Sequence, residues 1–280
     1  MNIRKTVHEL FSNLDAVFVI NLKNDKLRRK HVIDQFHNVI DKYEFVDAVS
    51  YNDPDVKNLY SQSLVMSFPP CFRCFKDSCG HENNFLGPKQ VGNFLSFKKV
   101  MEIIIKRDLN NILIFEDDCK FTFNSRQSFK NINIFLKREN LFNTEFPLLI
   151  KIGSHTRVNK KYYLKFLLTL KNTFIKSNHE DMANPCLLIN QEFAKLFLKE
   201  FNKISTTSDN FIHRLLSQKK DVITYSIYPF PVTQLSYGRK NNKFKSSITA
   251  ARNVKDRFTE RNRVETSEEY RKLLIDWFDS

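Results

Sequence analysis

A short apolar run that ends in three consecutive acids constrains this chain more than any other feature of its sequence. Residues 111–115 read Asn-Ile-Leu-Ile-Phe, and Glu116, Asp117 and Asp118 follow directly. A continuous apolar run of this length is typical of a strand buried on both faces. Ligands of open α/β sheets bind outside the carboxyl ends of strands, so the pattern predicts a charged site at a sheet edge.

Strand patterns of this kind alternate with helical patterns along most of the chain. Further apolar runs at 17–22, 148–153, 186–189 and 222–228 predict strands. Apolar residues at helical spacing predict helices from near Asp25, over 89–107, after N-caps at Asn190 and Ser208, and over 268–278. The alternation indicates an α/β sheet. Residues 50–89 are dense in turn formers and are expected to be irregular.

Composition and charge narrow the class of protein without selecting a partner. Among 280 residues, 41% are hydrophobic, which excludes wholesale disorder. The net charge of +14 favours anionic partners in general. Residues 239–263 carry nine Lys or Arg and two acids. This basic segment is either a solvated face, a cover for the phosphates of a ligand, or a contact with an acidic partner molecule or acidic membrane surface.

The N-terminus and the hydropathy pattern bear on location. The first fifteen residues contain charges and no apolar stretch of signal-peptide length. No run in the sequence approaches the roughly 18 apolar residues that span a bilayer. We therefore expect a cytoplasmic protein.

The acidic triplet predicts a cation site. Adjacent carboxylates repel one another, and a divalent cation would relieve that repulsion. Hard oxygen ligands suit Mg²⁺ or Mn²⁺, and such an ion could bridge a diphosphate. The alternative interpretation is a solvated acidic turn at the end of the strand.

A second constellation is rich in cysteine. The chain has five cysteines, an odd number, so a disulfide framework is a poor explanation. The spacing Cys-x2-Cys-x4-Cys-x-His predicts a structural Zn²⁺ site, with free buried thiols as the alternative. Its ligands would be Cys71, Cys74, Cys79 and His81. Cys119 and Cys186 have the sequence context of core cysteines.

Seven motifs in order resemble glycosyltransferase family 25, which includes lipooligosaccharide and collagen-modifying galactosyltransferases. The resemblance covers roughly residues 15 to 250. The motifs are Val17-Phe-Val-Ile-Asn-Leu22 with Arg28, Gly92-Asn-Phe-Leu-Ser96, Ile114-Phe-Glu-Asp-Asp118, Cys186-Leu-Leu-Ile189 with its following helix, Asp209, Tyr228-Pro to Gln234, and Ser246-Ser-Ile248. One position departs from the family pattern: Phe97 stands where the Leu-Ser-His motif has its His.

The resemblance implies a glycosyltransferase A-type α/β fold with a mainly parallel mixed sheet. It also implies a UDP-sugar donor, a divalent metal, Mn²⁺ or Mg²⁺, and inversion at the anomeric carbon. On this basis Asp118 holds the metal, and Glu116 or Asp117 contacts metal or ribose. The remaining donor-binding residues would be Asn21, Leu22, Arg28, Gly92 and Ser96.

Inversion needs a base on the acceptor hydroxyl, and the resemblance assigns that role to Asp209. The alternative is an ordinary acid that the helix dipole favours in a first turn. His213, one turn later, is expected to be structural or at the surface.

The domain prediction is a glycosyltransferase domain over 1–237 with a Cys-rich insertion at about 68–88. A basic extension and terminal helix would occupy 238–280. The expected reaction moves a hexose, galactose or glucose, to a glycan, lipid-linked or protein acceptor, with no nucleic-acid partner. Two alternatives remain: a zinc-knuckle nucleic-acid-binding protein, and a degenerate family member, suggested by Phe97, that binds nucleotide sugar or glycan without turnover.

Overall fold

Seven strands form one mixed sheet at the centre of the structure. The computed structural model describes residues 11–37, 39–81, 84–154, 160–176, 183–235 and 263–279. The strands are β1 (Ala16–Asn21), β2 (Glu44–Asp47), β3 (Asn111–Glu116), β4 (Cys119–Phe121), β5 (Leu148–Lys151), β6 (Gly153–Ser154), β7 (Thr173–Lys176), β8 (Cys186–Asn190), β9 (Ile223–Tyr228) and β10 (Val232–Gln234).

Helices cover both faces of this sheet. They are α1 (Lys26–Phe36), α2 (Pro54–Ser61), α3 (Pro88–Lys106), α4 (Ser125–Arg138), α5 (Lys160–Thr169), α6 (Gln191–Glu200), α7 (Ser208–Asn210) and α8 (Ser267–Asp279). A 3₁₀ turn at Leu141–Asn143 follows α4, and α7 continues directly as a π-helix over Phe211–Leu216.

The strand order of the large sheet is β2-β1-β3-β8-β5-β9-β7. β1 pairs in parallel with β2 and β3, and β5 pairs in parallel with β9. β8 is antiparallel to β3 and β5, and β7 is antiparallel to β9. Five of the seven strands therefore share one direction, which confirms the predicted α/β fold with a mainly parallel mixed sheet. A small second sheet, β4-β10-β6, lies beyond the carboxyl ends of β3, β5 and β9.

The central strand β3 explains why the apolar run is continuous. Residues 112–115 of β3 are fully buried. Ile112 and Ile114 pack into the hydrophobic cluster under α3 and α6, whereas Leu113 and Phe115 pack into the cluster on the opposite face. Because alternate side chains point to opposite faces, a strand covered on both sides needs an apolar residue at every position.

The predicted helix starts are confirmed at two positions and wrong at a third. Asp25 Oδ1 accepts from the Arg28 amide at 3.0 Å, and Asn190 Oδ1 accepts from the Phe193 amide at 3.0 Å. Ser208 is the first helical residue and Thr207 occupies the cap position, because the Ser208 hydroxyl donates to Asn93 Oδ1 instead.

The stretch expected to be irregular, 50–89, contains the helix α2, so that expectation is wrong in part. Pro54 stands in the first turn and Asp53 Oδ1 accepts from the Asp55 amide at 3.0 Å. Asp53 and Pro54 are typical turn formers, but here they form the N-cap and the first turn of a helix. The predicted burial of Cys119 and Cys186 is confirmed.

The terminal helix α8 packs against the Cys-rich insertion and its neighbours. Tyr270 lies against the rings of Phe68 and Phe85, and its hydroxyl donates to the Leu86 carbonyl at 3.1 Å. Asn84 exchanges two hydrogen bonds with the Val264 backbone, at 2.8 and 3.1 Å.

Two further sequence predictions concern the basic segment 239–263 and the absence of an apolar run long enough to span a membrane. Residues 239–262 of the basic segment, with the Ser246-Ser-Ile248 motif, lie outside the described residues. In the described part of the chain, no helix combines the length and the apolar character needed to cross a membrane.

Candidate functional site

A cleft of about 230 Å³ opens at the carboxyl edge of the large sheet, between β1, β3 and the start of α3. Glu116, the last residue of β3, and Asp117 and Asp118, which follow it, are part of the lining of this cleft. The strand directions explain this placement, because β1, β2 and β3 are parallel and all end at this edge. The cleft is lined by Ile20, Leu22, Arg28, Ala48, Val49, Ser50, Tyr51, Lys89, Asn93, Ser96, Glu116, Asp117, Asp118 and Gln234.

Asp117 is held by two side chains from β1 and α1. Arg28 Nη1 donates to Asp117 Oδ1 at 2.7 Å, and Asn21 Nδ2 donates to Asp117 Oδ2 at 2.9 Å. Burial raises the pKa of Asp117 to about 6, although Arg28 and Asn21 act to lower it. Arg28 is thus an ion-pair partner of the acidic triplet as well as a cleft residue.

The other two acids have different surroundings. Burial, followed by the charge of Asp118, raises the pKa of Glu116 to about 8, and a hydrogen bond from Asn93 Nδ2 at 3.3 Å opposes this shift. Asp118 is 3% exposed. Its Oδ2 accepts from Gln234 Nε2 at 3.1 Å, while its buried Oδ1 has no hydrogen-bond partner within the described ranges. An unsatisfied buried carboxylate oxygen is costly, so Asp118 Oδ1 is a candidate ligand atom for a cation.

Asp209 lies near the acidic group, although it is not among the residues that line the cleft. Its Oδ1 accepts from the Thr207 hydroxyl and from the Asn210 amide. Its charge contributes to the raised pKa of Glu116, so the two carboxylates are close enough to interact. The neighbouring Ser208 is joined to Glu116 through Asn93.

His213, on the same helical segment, has a structural environment. It is buried, and its Nε2 lies 2.6 Å from Asn184 Oδ1.

Gly92 and Ser96 hold the cleft wall rather than presenting an open helix surface. A Cβ on Gly92 would lie 2.7 Å from the Val49 carbonyl oxygen, so only glycine allows α3 to approach this loop. Ser96 Oγ accepts from the Val49 amide at 2.9 Å and donates to the Gly92 carbonyl at 2.7 Å. Ser96 lines the cleft, and the contacts of Gly92 are with the loop behind it.

The position that departs from the family pattern, Phe97, faces the core. Its side chain is fully buried in the cluster that α3 forms with the sheet. In this chain the substitution therefore removes no polar side chain from the cleft.

Two residues that line the cleft, Tyr51 and Lys89, and their neighbour Trp277 were not predicted from the sequence. Lys89 Nζ lies 5.4 Å from the Tyr51 ring centroid and 5.7 Å from that of Trp277, and burial lowers its pKa. The sequence indicates Lys89 only as the first residue of the predicted helix 89–107, with no sign of a role in the cleft. Tyr51 and Trp277 are 226 positions apart, so only the docking of α8 reveals their contact.

The Cys-rich insertion brings its four predicted ligands together. The ligand atoms of Cys71, Cys74, Cys79 and His81 all lie within 4.8 Å of one another. The Cys71 Sγ lies 4.0 Å from His81 Nδ1.

Comparison with known proteins identifies the class. A family model described as glycosyltransferase family 25 (LPS biosynthesis protein) matches residues 14–212. This match places the chain among the glycosyltransferases. More narrowly, the chain belongs to glycosyltransferase family 25, as its motifs predict. A glycosyltransferase 25 family member from Drosophila melanogaster is 28% identical over 116 residues, which cover 41% of this chain and 18% of that relative. The chain thus matches less than a fifth of the relative's length.

Breaking the buried ion pair between Arg28 and Asp117 from one side should cost much of the stability of the fold. Both side chains are mostly buried, so Arg28→Met leaves an uncompensated carboxylate and should lower the free energy of unfolding by about 3–5 kcal/mol. Adding Asp117→Asn removes the stranded charge and should restore part of the loss. Denaturant unfolding measures both changes.

The control for this cycle is the half-exposed pair of Arg107 with Glu44. Arg107→Met should cost at most about 1 kcal/mol. Equal losses for Arg28→Met and Arg107→Met would contradict the proposed role of the buried pair.

Proposed function

We propose that the protein is a metal-dependent, inverting glycosyltransferase that moves a hexose, galactose or glucose, from a UDP-sugar to a glycan or protein acceptor. Membership of family 25 supports a sugar donor and a glycan acceptor in general. The observation that carries the finer proposal is the buried, unpartnered Oδ1 of Asp118 in a cleft at the carboxyl edge of the sheet.

The residues of the cleft fit a hard divalent cation. Asp118 and Glu116 would hold Mn²⁺ or Mg²⁺ through carboxylate oxygens. When bound, such an ion supplies Lewis-acid stabilisation of the leaving diphosphate. Asn21 Oδ1, which is also buried without a hydrogen-bond partner among the described residues, gives this region a second unsatisfied oxygen.

The rest of the cleft is suited to a nucleoside diphosphate. Leu22 and Tyr51 offer apolar surface for the base, and the Lys89 ammonium offers charge for the phosphates. Arg28 contributes to the same positive field while it holds Asp117. Ser96 and Gly92 keep the loop at Val49 in place, and that loop forms one wall.

Asp209 is the proposed general base. Its Oδ1 is occupied by Thr207 and Asn210, which orients the carboxylate and leaves Oδ2 to accept the proton of the acceptor hydroxyl. The acceptor oxygen then attacks the anomeric carbon on the face opposite the diphosphate, which inverts the configuration.

The two alternatives make different use of these residues. A nucleic-acid-binding protein has no need of a buried acidic cleft with the volume of one small ligand. A degenerate member that binds without turnover was suggested by Phe97, which lies in the core. Release of UDP from a UDP-sugar in the presence of Mn²⁺ separates catalysis from both.

The cation and the nucleotide should bind together. Calorimetry should show that Mn²⁺ tightens UDP binding to the wild type by about tenfold or more, equivalent to about 1.4 kcal/mol. Asp118→Asn keeps the shape of the side chain and should abolish this gain. The matched control is Asp47→Asn, an exposed acid at the end of β2, two strands away in the same sheet. UDP binding that is indifferent to Mn²⁺ in the wild type would contradict a metal-dependent mechanism.

Loss of the base should separate turnover from binding. Asp209→Asn retains the contact with Thr207, so UDP affinity should be unchanged while sugar transfer falls by about 10²–10⁴-fold. Asp55→Asn is the control, because Asp55 is also a first-turn acid, on the exposed helix α2. Both variants lose the helix-dipole contribution of about 0.3–1 kcal/mol. Unchanged transfer by Asp209→Asn would show that another group accepts the proton.

A further inference from the structure

The structure brings the four potential ligand side chains of the Cys-rich insertion close to one another. Their ligand atoms lie within 4.8 Å of one another. In a tetrahedral Zn²⁺ site with Zn–S near roughly 2.3 Å and Zn–N near roughly 2.0 Å, ligand atoms are about 3.5–3.8 Å apart. Side-chain movement of about 1 Å would therefore complete the shell without a change of fold.

We propose that Cys71, Cys74, Cys79 and His81 bind one structural Zn²⁺ that fixes the terminal helix α8 to the wall of the cleft. Three thiolates and an imidazole are a soft ligand set that suits Zn²⁺, whereas the carboxylates of the cleft suit Mn²⁺ or Mg²⁺. Four protein ligands leave no open position, so the site has no place for a substrate.

The contacts around the insertion lead from the ligands to the cleft. Phe72, next to Cys71, is buried in the main core, and its amide donates to the Asn84 carbonyl at 3.1 Å. Asn84 in turn holds the Val264 backbone ahead of α8.

The following residues complete this connection. The Leu86 carbonyl accepts from the hydroxyls of Tyr60 and Tyr270, which ties α2 and α8 to the segment before α3. Lys89, in the first turn of α3, lines the cleft, and its ammonium lies 5.7 Å from the ring centroid of Trp277 in α8. Between Cys71 and His81 few apolar side chains are buried, so metal binding is the available source of local order.

The test begins with metal content. Protein purified without chelator and without a polyhistidine tag should contain one equivalent of zinc, and an organomercurial titrated against the thiols should release it. The single tryptophan, Trp277, reports on α8, so its emission should shift to longer wavelength as zinc leaves. Limited proteolysis should then cleave the insertion while the sheet stays folded.

Three variants distinguish a ligand from a neighbour. Cys74→Ser should lose the zinc and reproduce the fluorescence shift, and His81→Cys should keep one equivalent, because four cysteines also bind Zn²⁺. Ser78→Ala, an exposed change in the same loop, should behave as wild type. Less than about half an equivalent in the wild type, or full zinc retention by Cys74→Ser, would overturn the proposal. None of these measurements depends on glycosyl transfer.

A separate observation concerns helix α5, which exposes apolar and basic side chains together. Leu168 is 77% exposed, and Leu164 and Leu170 are also largely exposed, as is Phe123 beside the helix at 69%. The ring of Phe123 contacts Tyr163 of α5 at 5.7 Å. An apolar groove of about 740 Å³ runs alongside and includes Leu164 and Leu167 in its wall.

We infer that this face of α5 binds the surface of an anionic lipid bilayer. The exposed lysines at 160, 165 and 171 interleave with the leucines. A protein partner would need an acidic side chain opposite each lysine as well as apolar side chains opposite the leucines. A bilayer surface offers acyl chains and anionic headgroups within a few ångströms, which satisfies both at once.

Vesicle co-sedimentation tests this inference. Full-length protein should bind vesicles that contain phosphatidylserine, bind neutral phosphatidylcholine vesicles much less, and dissociate at high salt. The double variant Leu164→Ser with Leu168→Ser should bind at least about tenfold less, while Ile275→Ser, an equally exposed apolar change on α8, should not. Equal loss from both variants, or no vesicle binding, would overturn the inference. So would a wild-type dimer that the double variant converts to monomer, since the face would then contact a second copy.

Discussion

The hydrogen-bonded ion pair of Arg28 with Asp117 is the interaction on which the cleft depends. It joins the first turn of α1 to the end of β3, and Asn21 adds the end of β1. A buried carboxylate without these partners would be strongly destabilising. Together these contacts fix α1 and the ends of β1 and β3 relative to one another, at the edge where Glu116 and Asp118 lie.

A polar chain supports the other side of the acidic group. Ser208 donates to Asn93, and Asn93 donates to Glu116. The start of α7 and the first turns of α3 are thereby linked to β3. Asp209 directly follows Ser208, so this chain also places the candidate base relative to Glu116. Linked hydrogen bonds of this kind strengthen one another beyond what isolated pairs provide.

The sequence pattern could predict the features that depend on local residues. Three such features appear in the structure as the sequence predicts. They are the apolar strand with its acidic end, the N-cap at Asn190, and the cluster of three cysteines with His81. The reason for Gly92 could not be read in this way, because the carbonyl it accommodates belongs to Val49 on another loop. The contact of Lys89 with Trp277 could not be predicted for the same reason, because the two residues are far apart in the sequence. The antiparallel direction of β8 could not be predicted either, since a buried strand is equally apolar in either direction.

The long-range pairing of β3 also governs how this chain can fold. β3 lies between β1 and β8, with Ile112 opposite Ala16 and Asn111 opposite Asn190. Nearly one hundred residues separate the first pair and nearly eighty the second. Loop closure of this length slows folding. During synthesis, a nascent chain that ends before Cys186 presents one edge of β3, whose residues 112–115 are all apolar, without its partner strand, and such an edge is a template for aggregation. The stretch of translation from Phe115 to Asn190 is therefore when the growing polypeptide most needs a chaperone.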